Sequence, residues 1–459
     1  MVKPAANQRS SESSCGLYVH IPFCETKCGY CDFFSVALKG RNPGPLVDRV
    51  CRELAWRLTG SYMSVRTVFV GGGTPTLLPD DLLARLLDTI AGLVSVERLE
   101  EFTVEANPAT VDDAKARLLV EAGVTRVSMG AQSFNTAELA TLERLHSPED
   151  IAPSVATLRR NGIGQVNLDL IFGIPGQTMA SWLDSLRRAI DLGPDHIACY
   201  GLTYEPATRL TAMRNAGRVT PCDEDVEAEM FVATVETLEA AGYRQYEISN
   251  YAKPGCESRH NLVYWRNEPY IGVGPSAAGC IPSEPRAECN PGAPGARAKV
   301  TPPHRPPSQG GPQGGSVSRR YKNVADVAGY VRMMDECGHA EVESETIEGE
   351  TLMLEMILMQ LRLNEGLSIG DCRVRTGVDP VVLFGDTLLR LVKQGLLTVT
   401  DARIALTHSG RLVANRVMEE LAGMIECRYV AHPSITSPNP GISAGAPKRS
   451  ARQTRFSSA

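Results

Sequence analysis

Between Leu17 and Tyr204 the chain alternates short β-branched runs with helix-patterned stretches, and this alternation restricts the fold more than any other feature of its 459 residues. The pattern predicts strands over 17–21, 67–70, 101–106, 126–129, 166–171 and 196–204, with helices such as 80–93 and 181–191 between them. Repeated strand–helix units call for parallel strands joined by right-handed crossover helices. Six such units give an α/β fold, an incomplete (β/α)6 TIM-like barrel. Reacting groups in such barrels sit at the C-terminal ends of the strands, and nearly every motif of this chain falls at a strand's end or just beyond it.

The first such motif is Cys24-Glu-Thr-Lys-Cys28-Gly-Tyr-Cys31. Thiolates this close in sequence can ligate one metal centre, and thiolate is the ligand iron–sulfur clusters use. Three protein sulfurs on a four-iron cubane leave one iron open to a small molecule. The alternatives are ordinary cysteines or part of a structural zinc site. Zinc ribbons usually pair two Cys-x-x-Cys knuckles; no second knuckle follows, and Cys15 and Cys51 are too isolated to make one.

Composition bounds the rest. The length suggests two to three domains, and the net charge of -6 provides no broad basic field for nucleic acid. No stretch is long and apolar enough to span a membrane. Residues 1–14 form a polar, Ser-rich leader without the apolar core of a secretory signal. A cytoplasmic location is the simplest expectation, with peripheral membrane contact left open.

The barrel and its extension are expected over 15–280, including a helix at 223–241 and an added strand at 246–251. A Pro/Gly-rich insertion, 281–319, has almost no large apolar residues and is expected to be disordered. Segment 320–430, with helices at 350–363 and 379–394 and a hairpin at 396–406, reads as a small winged-helix-like domain. Its second helix carries few basic residues, against a DNA-binding role. The tail 431–459 is expected to be disordered.

Further motifs are Val68-Phe-Val-Gly-Gly-Gly-Thr-Pro-Thr76, Thr103-Val-Glu-Ala-Asn-Pro108, Val127-Ser-Met-Gly-Ala-Gln-Ser-Phe134, Asn167-Leu-Asp-Leu-Ile-Phe-Gly-Ile-Pro-Gly-Gln177 and His260-Asn-Leu-Val-Tyr-Trp265. With the cysteine run, these resemble the radical S-adenosylmethionine (SAM) superfamily, and within it the oxygen-independent coproporphyrinogen III oxidases and their relatives. The resemblance implies a [4Fe-4S] cluster on Cys24, Cys28 and Cys31, with SAM on its open iron. It assigns Tyr30 to the adenine, Gly72, Gly73 and Thr74 to the methionine moiety and Glu105 to the cationic end of SAM. It also assigns SAM contacts to Gln132 and Arg144, ribose hydroxyls to Asp169, and further contacts to Tyr18 and Thr203. Arg suits a carboxylate because it binds bidentately. An Asp within an apolar strand is costly without a partner.

The His260-Asn-x-x-Tyr264-Trp265 run resembles the signature of the family's haem-chaperone branch, making His260 a candidate haem contact, since imidazole is a common axial ligand. Phe33 stands where authentic oxidases carry a fourth cysteine, and the leader before Cys24 is short; both features favour the chaperone branch over coproporphyrinogen decarboxylation. The run Gly274-Pro-Ser-Ala-Ala278 lacks a histidine that relatives often carry. The expected partners are haem and acceptor haemoproteins, including respiratory and membrane-associated ones, but not nucleic acid; a homodimer is a further expectation. The other readings are the oxidase itself and a cluster protein with a different radical substrate.

Overall fold

A computed structural model describes residues 14–283 and 316–431, the side chains of 426–431 excepted. The expected leader (all but its last residue), most of the expected insertion and the tail beyond 431 lie outside the described residues.

The six expected strands form one continuous parallel array in sequence order: β1 Ser14–Ile21, β2 Ser64–Gly72, β3 Glu101–Ala106, β4 Arg126–Gln132, β5 Gln165–Phe172 and β6 His196–Gly201. Burial is nearly unbroken along β1, β4 and β5, as parallel strands covered on both sides require. Between them run α1 Gly44–Leu58, α2 Asp80–Leu93, α3 Asp113–Glu121, α4 Thr136–Thr141, α5 Ile151–Arg160 and α6 Met179–Asp191. The sixth strand ends at Gly201, short of the expected Tyr204.

Past β6, α7 Arg209–Asn215 and α8 Glu224–Ala240 precede two short strands, β7 Arg244–Gln245 and β8 Asn250–Ala252. The single strand expected at 246–251 is therefore two, antiparallel to one another, with a turn between them. Helix α9, Arg259–Trp265, carries the His-Asn-x-x-Tyr-Trp run and leads into β9 Tyr270–Val273, which pairs parallel with β1. Strands β10 Ala278–Pro282, β11 Ser318–Asn323 and β12 Glu341–Ile347 extend this edge antiparallel. The sheet is twelve-stranded and open, with β7 and β12 at its edges.

Two expected boundaries shift. Ile281 and Pro282 pair with Arg319 and Ser318, so both ends of the expected insertion belong to a strand ladder. The segment from Ser318 to Ile347 completes the barrel sheet rather than opening the C-terminal domain. It is held there by Glu53 on α1, which is fully buried and accepts from Arg57, Asn323 Nδ2, the Gly274 amide and Tyr330 Oη. Tyr330 lies on α10 Val327–Glu336 and packs into the barrel core.

A second core, from Ile347 to Ile425, is built by α11 Gly349–Gln360, α12 Ile369–Thr376, α13 Pro380–Lys393, α14 His408–Leu412 and α15 Ala414–Ala431. The three strands β13 Leu367–Ser368, β14 Leu397–Val399 and β15 Arg403–Leu406 complete this unit, giving the helices-then-hairpin arrangement of a winged helix. Helix α9 sits at the seam. Leu262 and Trp265 pack with Leu363, Tyr246 and Met359, and Arg375 donates to the carbonyls of Arg266 and Asn267.

Candidate functional site

At the C-terminal ends of β1–β6 the sheet encloses a cavity of about 310 Å³. Cys24, Cys28, Cys31, Tyr30, Gly72, Gly73, Thr74, Glu105, Gln132, Arg144, Asp169 and Thr203 all line it. Of the sequence-derived site residues, only Tyr18 and His260 do not.

The cysteines lie on the loop after β1. A two-residue parallel pairing of Phe23–Cys24 with Val36–Ala37 closes the base of this loop, and Leu38 N donates to the Cys24 carbonyl at 2.8 Å. All three thiols are free and half-buried. Burial pushes the Cys24 thiol up and that of Cys31 to about 11, so both are neutral until a metal displaces the proton. Among the described residues no three His, Cys, Asp or Glu side chains converge on a single-ion site.

The Gly71-Gly72-Gly73 turn presses against that loop. A Cβ on Gly73 would lie 2.5 Å from the Phe23 carbonyl oxygen, and Gly72 has φ +103°, in the left-handed region. Only glycine allows both the approach and the turn. The Gly72 amide donates to Glu105 at 2.9 Å. Burial pushes the Glu105 carboxyl up to about 8; the Gly72 amide only partly offsets this, and the Asp169 charge adds to it. No cation pairs with Glu105 among the described residues, and a cationic ligand bound beside it would favour the ionised form that burial disfavours.

Gln132 closes β4 at a register shift between Gly130 and Gln132, with φ +63°. Such a bulge re-aims a side chain, here into the cavity. Arg144 donates through Nη2 to the Gly130 carbonyl at 2.7 Å and to Asn107 Oδ1 at 2.5 Å. Its Nη1 lies 3.7 Å from Cys28 Sγ, and its buried Nε has no partner among the described residues. An unsatisfied guanidinium donor beside the cysteines fits an incoming carboxylate. Asp169, on β5, accepts from Asn167 Nδ2 at 2.7 Å and contacts Ser128 Oγ at 3.4 Å, while burial lifts its carboxyl to about 6. These partners leave acceptor capacity on Asp169. Burial pushes the Tyr30 phenol up, leaving a neutral ring on the cavity wall.

Tyr18 stands behind the loop. Its hydroxyl contacts His20 Nδ1 at 2.8 Å, and His20 Nε2 contacts the Phe34 carbonyl at 2.8 Å. The pair props the cysteine loop without facing the cavity.

His260 is fully buried away from the cavity. Its Nδ1 contacts Thr67 Oγ1 at 2.9 Å and its Nε2 contacts Tyr264 Oη at 2.8 Å, while its ring stacks on Phe69. Burial pushes its pKa down to about 3. With both nitrogens hydrogen-bonded, neither is free to meet a haem iron in this arrangement. Within the motif, His260 ties α9 to β2, Trp265 packs towards the C-terminal unit, and Asn261 lines the cavity.

Asn107 was not foreseen. It bridges Thr74 Oγ1, at 2.7 Å, and Arg144. Its position directly before Pro108, at the end of β3, was the available signal.

Comparison with known proteins agrees with this architecture. Residues 18–189 match the Radical SAM superfamily and 347–413 match the HemN C-terminal domain. The second match begins at the boundary of the second core. The chain is 33% identical over 408 residues to heme chaperone HemW of Bacillus subtilis, covering 88% of this chain and 98% of that one. To heme chaperone HemW of Mycobacterium tuberculosis it is 33% identical over 414 residues, covering 89% and 95%. In structure it resembles coproporphyrinogen III oxidase (HemN) from Escherichia coli, with a TM-score of 0.69, 21% identity and 92% of each chain covered. That likeness concerns the fold. The chain is a radical SAM protein and belongs to the HemW family.

Proposed function

We propose that this protein binds haem and passes it to acceptor haemoproteins, and that it carries a [4Fe-4S] cluster on Cys24, Cys28 and Cys31 with SAM in the adjoining cavity. The observation that carries this reading is likeness to proteins named heme chaperone along 88% of the chain. The gathering of the three cysteines, the glycine turn, Glu105, Arg144 and Asp169 around one cavity supports the cofactor assignment.

A bound cluster supplies one-electron chemistry towards SAM. The chain's own groups orient the ligand. Backbone at Gly72 and Gly73, with the Thr74 hydroxyl, meets the methionine moiety. Glu105 accepts from its cationic end, Arg144 and Gln132 donate to its carboxylate, Asp169 accepts from ribose hydroxyls, and Tyr30 packs on the adenine. Tyr18 supports the cysteine loop through His20. Thr203, which also lines the cavity, makes a weaker contact.

Acceptors are taken to include respiratory, membrane-associated haemoproteins, approached from a cytoplasmic location, with a homodimer as the working assembly. Among the described residues no helix is long and apolar enough to cross a membrane.

Anaerobically reconstituted protein, incubated with coproporphyrinogen III, SAM and a reductant and analysed by chromatography, is expected to form no protoporphyrinogen, yet to take up haem and release it to an apo-haemoprotein. Conversion of coproporphyrinogen would make the protein an oxidase instead and overturn this reading.

A further inference from the structure

A haem carrier needs a side chain that reaches the iron. His20, His196 and His260 are buried with both ring nitrogens hydrogen-bonded. His339 and His408 stand on the open surface, His339 stacked on Trp56. His304 and His432 lie outside the described residues, and among the described histidines His146 differs from all of these. It lines the cavity shared with the cysteine loop. Its Nε2 lies 3.0 Å from the Ala131 carbonyl oxygen. A carbonyl only accepts, so the ring proton sits on Nε2 and Nδ1 keeps its lone pair. Among the described residues no hydrogen bond uses Nδ1.

A ring N–H anchored on a backbone carbonyl, with the other nitrogen free, is the arrangement that orients metal-ligating histidines. The charged groups facing this ring are Arg144 and Asp150. Burial, then Arg144, holds its pKa down at about 4, and so the imidazole is neutral near pH 7.

The surroundings suit a flat apolar ligand. Leu145 is 61% exposed and Phe33 is 43% exposed, and both line the same cavity, with Leu77 and Pro108. Large apolar side chains left open around a cavity mouth favour an apolar occupant, and a porphyrin face packs on an aromatic ring. Phe33, which carries no thiol for the cluster, thus has its own part in the site.

We propose that His146 is an axial ligand of haem, bound at the mouth of the cavity with its macrocycle against Phe33 and Leu145 and outside the position of SAM. This rests on the haem-carrier reading and names its binding site.

The test is a haemin titration of the full-length, anaerobically reconstituted protein, read at the Soret band, with cluster absorbance and SAM binding followed in parallel. His146→Ala is expected to weaken haem binding roughly tenfold to a hundredfold, the range seen when even a metal ligand's own support is removed. Added imidazole is expected to restore the band. His146→Met is expected to retain haem but shift its bands to those of thioether ligation, a change that loss of folding does not produce. Wild-type affinity and spectrum in His146→Ala would overturn the ligand assignment while leaving haem carriage standing. Wild-type protein that takes up no haem would overturn both.

Discussion

Arg144 Nη1 lies 3.7 Å from the Cys28 sulfur, while its Nη2 is tied to the Gly130 carbonyl and to Asn107. One guanidinium thus joins the end of β4, the end of β3 and the cysteine loop. Replacing it with Gln removes a charged donor from the expected carboxylate of SAM. Hydrogen bonds to charged groups contribute about 1.5–3 kcal/mol, so Arg144→Gln is expected to weaken SAM binding about tenfold to a hundredfold by anaerobic calorimetry. Iron content is expected to stay at the wild-type level.

Gly73→Ala puts a methyl group 2.5 Å from the Phe23 carbonyl oxygen. Backbone cannot swing aside as a side-chain tip can, so the cysteine loop must move. The expected result is a reconstituted protein with less cluster per chain, read from visible absorbance and iron analysis, and a far-ultraviolet dichroism spectrum like the wild type's. A full cluster load in the variant would show that the loop absorbs the strain.

Glu105 links stability to pH. Its carboxyl is raised from 4.5 to about 8, so between these values the folded chain holds a proton that the unfolded chain has lost. Stability contributed by this group therefore falls as pH rises through that window. Buried His20 and His146, whose pKa values are lowered from 6.5 to about 4, act in the opposite sense below pH 6.5. The informative quantity is the difference between variants. In cluster-free protein, Glu105→Gln is expected to lose less melting temperature than the wild type between about pH 6.5 and 8. Parallel melting curves across that range would refute the link.

Glu53 and Arg57 form an ion pair with side chains 0% and 7% exposed, and Glu53 also serves Gly274, Asn323 and Tyr330. Removing one member of a buried pair strands the other, at a cost of about 3–5 kcal/mol. Glu53→Ala is expected to lower stability by this order in denaturant titration. Glu53→Gln, which keeps acceptor capacity, is expected to lose less.

The sequence by itself determined the barrel and the cavity-facing site. Strand–helix alternation dictates parallel pairing, and parallel pairing places the end of every strand on one rim. Residues at those ends, from Gly72 to Asp169, therefore meet although they are far apart in the chain. Tertiary structure alone decided the fate of groups whose role depends on what surrounds them. His260 and His146 are the same residue type, and neither sequence context reveals the second nitrogen's partner. One ring is held between Thr67 and Tyr264, while the other, on a cavity wall, has no partner at Nδ1 among the described residues. The segment from Ser318 to Ile347 likewise follows a Pro/Gly-rich stretch and reads as a new domain, yet it returns to the barrel sheet. Its decisive partner, Glu53, lies 270 residues from Asn323 in the chain. Local patterning encodes periodicity and turns, whereas burial and hydrogen-bond partnership are set by whichever distant segments the fold brings together.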